Sequence, residues 1–525
     1  MNTRSVTCGL ALVAAIAVSG ATIAPTAFAA PAGERARNSA QTARTAEAAK
    51  ASEATEAVKS GVQPSAARAK KPKGKPKDDF NGDGYQDLAV AAPHATVEKK
   101  KSAGYVSVLY GSKSGLRTTG KQVVHRGTPG TPGIPASNDE FGRSISSADF
   151  NQDGYADLAV NSWGRGLPVP GRKHLEVTVL WGSAKGLGRG KTAGFATDGY
   201  NEALVAGDFD GDRRQDIATA HSDGGLMVLH GPFKADGSPA GTSYTPEVDN
   251  EAARWVGELT AGDTNRDGIT DIVGLHGWTG ERPGTALMYH WKGTADGPAD
   301  PRVLGNHVNE VVKGDSLDLG DVNKDGFDDI VVGQTDLDPY DDTDKAGGRI
   351  THLPGSAGGP VGVKSRIVDL NTAGVPGTPA NTRGFGSGVA VGDADGDGYA
   401  DIAVGASEKR VSGKIRAGGV ITLRGTKSGP TGSGAREFTQ DTKNVPGSAE
   451  KDDLFGSHAR FLDGDGDGRT ELAVTAIGEN KGAGSVWVLP AGSGGITAAK
   501  SLVYGGKALG TAAAPGERFG ERYTD

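Results

Sequence analysis

From about residue 79 onward the chain alternates short apolar runs with polar, glycine-rich punctuation. Leu88-Ala89-Val90-Ala91-Ala92 is one such run, and Gly104-Tyr105-Val106-Ser107-Val108-Leu109-Tyr110-Gly111, alternating apolar and polar, is another. Short runs rich in β-branched residues and bounded by glycine, proline or aspartate read as strands, because branched side chains pack well on a pleated surface. The order of elements repeats. An apolar strand leads into an acidic loop and a second apolar strand, and a variable loop follows. Next comes an alternating third strand, as at Leu175 to Trp181, Gly348 to Leu353, Gly419 to Leu423 and Ser485 to Leu489. A weaker fourth strand, such as Gln122 to His125, closes the unit. Four short antiparallel strands make one small sheet that cannot bury both its faces alone, so the sheets must pack on one another. The pattern predicts an all-β repeat architecture.

The acidic loops carry the chemistry. They begin at Asp79, Asp149, Asp208, Asp263, Asp321, Asp393 and Asp463, in steps of 70, 59, 55, 58, 72 and 70 residues. Their pattern, D-x-[DN]-x-D-G-x-x-D, places side-chain oxygens at positions 1, 3, 5 and 9 and a glycine at the sharp turn of position 6. Calcium is a hard cation that takes six to eight oxygens at about 2.3–2.6 Å, so this donor set predicts calcium. The candidate ligands are Asp79, Asn81, Asp83 and Asp87 in the first loop, and Asp149, Asn151, Asp153 and Asp157 in the second. The third offers Asp208, Asp210, Asp212 and Asp216, and the fourth Asp263, Asn265, Asp267 and Asp271. Asp321, Asn323, Asp325 and Asp329 form the fifth; Asp393, Asp395, Asp397 and Asp401 the sixth; Asp463, Asp465, Asp467 and Glu471 the seventh. Six to seven calcium ions are expected. The third loop is the doubtful one, because Arg213 replaces the glycine and Arg214 follows it. An EF-hand starts similarly but needs a bidentate Glu at position 12 between helices. Position 12 here is Val90, Val160, Thr219, Gly274, Val332, Val404 or Val474, and the flanks read as strands.

Phe141-Gly142, Phe385-Gly386 and Phe455-Gly456 open strands ahead of acidic loops, and Ala91-Ala92-Pro93 or Gly405-Ala406-Ser407 follows the second strand. With the loops, these residues resemble the FG-GAP repeat of the integrin α-subunit head and its bacterial relatives over residues 79–525. The match is strong in repeats one, two, six and seven and looser in three, four and five, which lack Phe-Gly. The resemblance implies a seven-bladed β-propeller with calcium in the loops between strands one and two of each blade, and ligand binding on the opposite face. Glu517 to Asp525, with Phe519-Gly520, looks like a first strand without a loop after it, while only a Lys- and Pro-rich stretch precedes Asp79. The last segment is therefore expected to complete the first blade and clasp the ring. Three loops expected on the ligand face carry Trp163, Arg165 and Arg172; Trp278 and Arg282; and the acidic run from Asp336 to Asp344. For each Trp, packing between blades competes with ligand contact.

Composition adds targeting and partners. Residues 1–29 read as a secretory signal: Arg4, an apolar run from about Val6 to Val18, and Ala27-Phe28-Ala29 at the cleavage site. The only cysteine, Cys8, lies within it, so a secreted mature chain owns no disulfide and its loops would need calcium for stability. Residues 30–77 form a basic Ala- and Lys-rich linker with 11 basic and 4 acidic residues, suited to a solvated spacer or to contact with cell-wall polymers. Residues 78–525 are expected to be the propeller. The whole chain carries −7, so the propeller is more acidic still, which argues against nucleic acid. No membrane span is expected. The reading is a secreted adhesion or ligand-binding module for an extracellular protein or glycan. The alternatives are an extracellular esterase- or phospholipase-like hydrolase or its accessory, using the mouth of the ring, or a glycan-binding lectin. No G-x-S-x-G or H-E-x-x-H motif occurs, and no catalytic residue is assigned.

Overall fold

The structure is a computed structural model that describes residues 76–164, 174–196, 203–221, 224–246, 256–276, 286–308, 310–335, 347–379, 381–511 and 513–524. All lie in one compact unit, Lys73–Asp525. The expected signal segment, almost all of the linker, and the loops bearing Arg165, Arg172, Trp278, Arg282 and the run 336–344 fall outside the described residues.

Seven antiparallel sheets follow one another along the chain. Blade 1 takes its inner strand, Arg522–Tyr523, from the far end of the sequence and continues with Leu88–Ala92, Tyr105–Leu109 and Gln122–Val124. Blade 2 is Ile145–Ala148, Asp157–Gly164, His174–Leu180 and Gly190–Ala196; blade 3 is Leu204–Gly207, Asp216–Ala220, Leu226–His230 and Gly241–Tyr244. Blade 4 runs Val256–Gly262, Asp271–His276, Ala286–Trp291 and Arg302–Val303, with Lys313–Gly314 added beside its third strand. Blades 5, 6 and 7 begin at Ser316–Gly320, Phe385–Gly392 and Phe455–Leu462 and each continue with three more strands. This is a seven-bladed β-propeller.

The core sits between blades rather than within them. Alternating strand residues project from the two faces of each sheet, and each face meets the neighbouring blade. Val90, Leu88 and Tyr105 of blade 1 pack with Leu462, Val486 and Tyr504 of blade 7. Val106 and Val108, on the other face of the same strand as Tyr105, pack with Ile145, Leu158 and Val160 of blade 2. At the junction of blades 6 and 7, Phe455 and Trp487 meet edge to face at 5.3 Å. Burying each such side chain stabilises the fold by about 1.5–3 kcal/mol.

The Phe-Gly opener has a physical reason. Phe141, Phe385, Phe455 and Phe519 are all fully buried. The glycine that follows lies against the adjoining blade: a Cβ on Gly456, at φ 90°, would stand 2.1 Å from the carbonyl oxygen of Gly419. Phe519 belongs to this set, and its segment pairs with blade 1 through Val90–Tyr523 and Ala91–Arg522.

Candidate metal centres and the opposite face

In blades 2 to 7 the acidic loop joins the first and second strands, and in blade 1 it leads into the second strand, so all seven emerge on one face. They share a backbone. The glycine of position 6 has φ between 84° and 92° in six loops, and Arg213 adopts φ 67° in the third. Position 4 is also left-handed in every loop, including the non-glycine residues Gln152 (61°), Arg266 (57°) and Lys324 (58°), a feature the sequence pattern does not announce. These turns fold the side chains inward. The carboxylate of position 1 accepts from the amide of position 6 in each loop, at 2.9 Å for Asp79, 2.8 Å for Asp208 and 2.8 Å for Asp393. Position 3 accepts from the amide of position 5, as in Asn81 (2.8 Å), Asp210 (3.1 Å) and Asp465 (3.0 Å). Position 5 accepts from position 7, as in Asp83 (3.2 Å) and Asp397 (2.9 Å). Every predicted ligand at positions 1, 3 and 5 except Asn323, whose amide group donates to Asp329 at 3.3 Å instead, is thus drawn into a compact knot within its own loop.

Position 9 does a second job. Its carboxylate is buried in all seven loops. In six it accepts from the backbone amide of a glycine just after the third strand: Gly111 to Asp87 (2.8 Å), Gly182 to Asp157 (2.7 Å), Gly231 to Asp216 (2.8 Å), and likewise Gly293, Gly355 and Gly425. The other oxygen takes the amide of position 2, as with Phe80 and Phe150. Glu471, one methylene longer, still reaches the Gly464 amide at 2.8 Å. In those six loops position 9 therefore staples the loop to the end of the third strand whatever else it holds.

The knots concentrate like charge. One carboxylate oxygen from each of Asp208, Asp210 and Asp212, of Asp393, Asp395 and Asp397, and of Asp463, Asp465 and Asp467 lies within 4.8 Å of its companions. Burial, with added repulsion from loop neighbours, pushes Asp87, Asp157 and Glu471 up to about 8 and Asp216 and Asp401 up to about 7. Asp208 Oδ1 and Asn323 Oδ1 are buried without a hydrogen-bond partner. Oxygen donors crowded at positions 1, 3, 5 and 9, some without any partner, fit a hard divalent cation.

Basic side chains from the third strand also enter these sites, and the sequence reading missed them. His230 faces Asp210 and Asp216, His290 lies 3.5 Å from Asp271, and His352 Nε2 lies 2.9 Å from Asp329 Oδ2. Burial alone would raise Asp271, but hydrogen bonds from His290, Thr264 and Gly293 outweigh it and hold the carboxyl below its usual range. In the all-aspartate sixth loop, Arg424 pairs with Asp395 and approaches Asp397 at 3.8 Å and Asp401 at 3.9 Å. Register alone brings these groups in, since each lies 14 to 23 residues beyond the position-9 residue it faces.

The loops are tied to one another. The position-8 amide of one blade donates to the position-1 carbonyl of the preceding one: Ala156 to Asp79 (3.0 Å), Thr270 to Asp208 (2.8 Å), Asp328 to Asp263 (3.2 Å), Ala400 to Asp321 (2.9 Å) and Thr470 to Asp393 (2.9 Å). Where the chain's two ends meet, the Gln86 side chain accepts from the Asp463 amide at 2.8 Å instead.

On the opposite face, Trp163 is 5% exposed, donates its indole N–H to Glu140 at 3.2 Å and lies under the Arg143 guanidinium at 4.6 Å. It packs into the body rather than offering a free aromatic surface. Ile134 and Ile415 are exposed there, and a groove of about 240 Å³ between blades 4 and 5 is lined by His307, Glu310, Arg349, Asp369 and Asn371. The inner strands surround a larger cavity of about 640 Å³ carrying Glu258, Asp315 and Asp318 as well as His458, Arg460 and Arg522. Burial pushes Asp318 up to about 6.

The FG-GAP repeat family matches residues 78–109 and 385–415, and the FG-GAP-like repeat matches residues 149–219. The chain contains FG-GAP repeats. Its FG-GAP blades are similar to phosphatidylinositol-glycan-specific phospholipase D of Bos taurus, 29% identical over 198 residues, which is 34% of this chain and 22% of that protein. The Mus musculus phospholipase is 34% identical over 170 residues, 30% of this chain and 18% of that one. Integrin alpha-8 of Gallus gallus is 34% identical over 102 residues, 19% of this chain and 9% of the integrin. The FG-GAP chain thus spans less than a quarter of each of these relatives. Among the described residues, no helix is long and apolar enough to cross a membrane.

Proposed function

We propose that this FG-GAP protein is a secreted, calcium-stabilised propeller that presents the face opposite its acidic loops to an extracellular protein or glycan. The observation that carries the reading is the shared knot. Seven loops of different sequence adopt one backbone, with two left-handed turns each, and that backbone gathers the oxygens of positions 1, 3, 5 and 9. Asp79, Asn81, Asp83 and Asp87 would hold one ion, and the equivalent residues of the other loops would hold theirs. A bound divalent cation supplies countercharge to carboxylates that otherwise repel one another.

The opposite face supports the ligand side of the proposal. Loops between second and third strands and between blades vary in length and composition, as expected of surfaces that carry recognition on a fixed scaffold. The groove between blades 4 and 5 offers a histidine, an arginine, two carboxyl residues and an asparagine, a lining suited to sugar hydroxyls. The integrin relatives support adhesion; the phospholipase activity named for the other relatives belongs to proteins several times longer than the matched region.

Two measurements test this. At ~1 mM calcium and a dissociation constant of ~0.1 mM, each site stabilises the fold by about 1.4 kcal/mol. Removing calcium with EGTA should therefore lower the melting temperature strongly, and re-addition should restore it. An unchanged melting curve contradicts the structural role. Pull-down from cell-wall extracts with immobilised propeller should recover a ligand in calcium and lose it in EGTA.

A further inference from the structure

The third loop differs from the others in the residue that stands just before the glycine bound by position 9. His230 ends the third strand of blade 3, one residue before Gly231, whose amide binds Asp216 at 2.8 Å. The corresponding residue is Tyr110, Trp181, Lys292, Pro354 or Arg424 in the blades with the same glycine contact. Only in blade 3 does it supply an imidazole. Its Nε2 is fixed against the Ser243 hydroxyl at 2.7 Å. Its Nδ1 points the other way, 3.3 Å from Asp210 Oδ2 and 3.8 Å from Asp216 Oδ2.

That nitrogen is buried and makes no hydrogen bond, despite two carboxylates beside it. With Nε2 held by the Ser243 hydroxyl, Nδ1 and the carboxylates of Asp210 and Asp216 converge as a set of one nitrogen and two oxygens. Asp208 Oδ1, at position 1 of the same loop, is also buried and unpartnered. The His230, Asp210 and Asp216 ligand atoms all fall within 4.8 Å of one another, and Asp208 and Asp212 extend the group through Asp210. Bonds of about 2.0–2.2 Å to a tetrahedral ion place neighbouring ligand atoms about 3.3–3.5 Å apart, and the spacings from Nδ1 are close to this.

We infer that the third loop is a transition-metal site, with His230 Nδ1, Asp210 and Asp216 as ligands, selective for zinc or a similar borderline ion over calcium. Imidazole nitrogen suits zinc, nickel or copper, whereas calcium takes oxygen donors. Asp208 completes the coordination from position 1, and Ser243 is a positioning residue that holds the ring's outer nitrogen so that Nδ1 faces the metal. The inference rests on the reading that these loops hold cations, but it concerns the identity of one ion.

Zinc and cobalt titrations into full-length protein already saturated with millimolar calcium test it. One equivalent of zinc should bind by calorimetry, and one equivalent of cobalt should give visible d–d absorption typical of low coordination with a nitrogen ligand. His230→Gln should weaken zinc by more than about 100-fold, and Ser243→Ala by about 10- to 100-fold. Both variants should keep the wild-type melting temperature in calcium without zinc, which shows that they fold. Equal zinc binding by wild type and His230→Gln, or displacement of the one zinc by millimolar calcium, overturns the assignment. The EGTA melt is independent of His230, so failure of the calcium role and failure of the zinc site give different results.

Discussion

At the scale of single residues, the loops are decided by where charge is answered. Arg424 occupies space among Asp395, Asp397 and Asp401 that a cation would claim. Arg424→Gln should raise the calcium affinity of the sixth loop by about tenfold, or about 1.4 kcal/mol, in calorimetric titrations against wild type; an unchanged constant would show that the arginine swings clear at no cost. A second residue answers to pH. Glu479, near Asp453 and Glu450 and hydrogen-bonded to Gln440 at 2.6 Å, is pushed up to about 7, first by burial and then by those carboxylates. As pH rises from about 4.5 to about 7 the unfolded chain releases this proton while the folded chain retains it, so folding stability falls across that window and levels off above it. Glu479→Gln should remove about 1 kcal/mol of that decline, the figure being reduced for the partial exposure of the group, when urea unfolding at pH 4.5 and 7.5 is compared. The oxygen donors were legible in the sequence because they recur at fixed offsets within nine residues. The histidines and Arg424 were not, because their approach depends on the pairing register of two strands whose connecting loop varies from blade to blade.

At the scale of elements, the strand pattern was readable wherever apolar residues were bounded by glycine, and the acidic loops fixed where first strands end and second strands begin. Fourth strands were harder: Arg302–Val303 is exposed and only two residues long, so no buried face imposes a period on it. Trp163 illustrates the same limit from the other side. Its sequence context allowed a surface role, but Glu140 and Arg143 from the loop before the strand cover it. The clasp in blade 1 depends on few backbone bonds and on one buried ring. Phe519 stacks near Tyr105 and meets Tyr504 edge-on, while its amide donates to Ala483 at 2.9 Å. Phe519→Ala should cost about 3–5 kcal/mol, and deletion of 517–525 should lower and broaden the thermal transition; scanning calorimetry would detect either. A deletion that melts like the intact chain would mean that Arg522–Tyr523 contributes nothing to closure.

At the scale of the molecule, the seven inter-blade cores account for cohesion, and the proposed ion dependence belongs to the acidic face. Asp78, fully buried, joins three blades at the closure: it pairs with Arg460 of blade 7, meets Ser147 of blade 2 and accepts from Gln86 at 3.1 Å. Blade count and ring closure were legible from repeat number and the Phe519-Gly520 segment. The central cavity with its mixed charges was not, because its lining is gathered from inner strands far apart in sequence and no local pattern marks them.

The carbonyl-to-amide links that join five pairs of consecutive acidic loops make neighbours of sites far apart in sequence. Loss of an ion that slackens one loop also frees an anchor of the following blade, so adjacent vacancies should favour one another. Calcium would then leave in contiguous arcs rather than at random, and the softest points of the circle would be the two places where a glutamine side chain, Gln86 or Gln152, stands in for a backbone link.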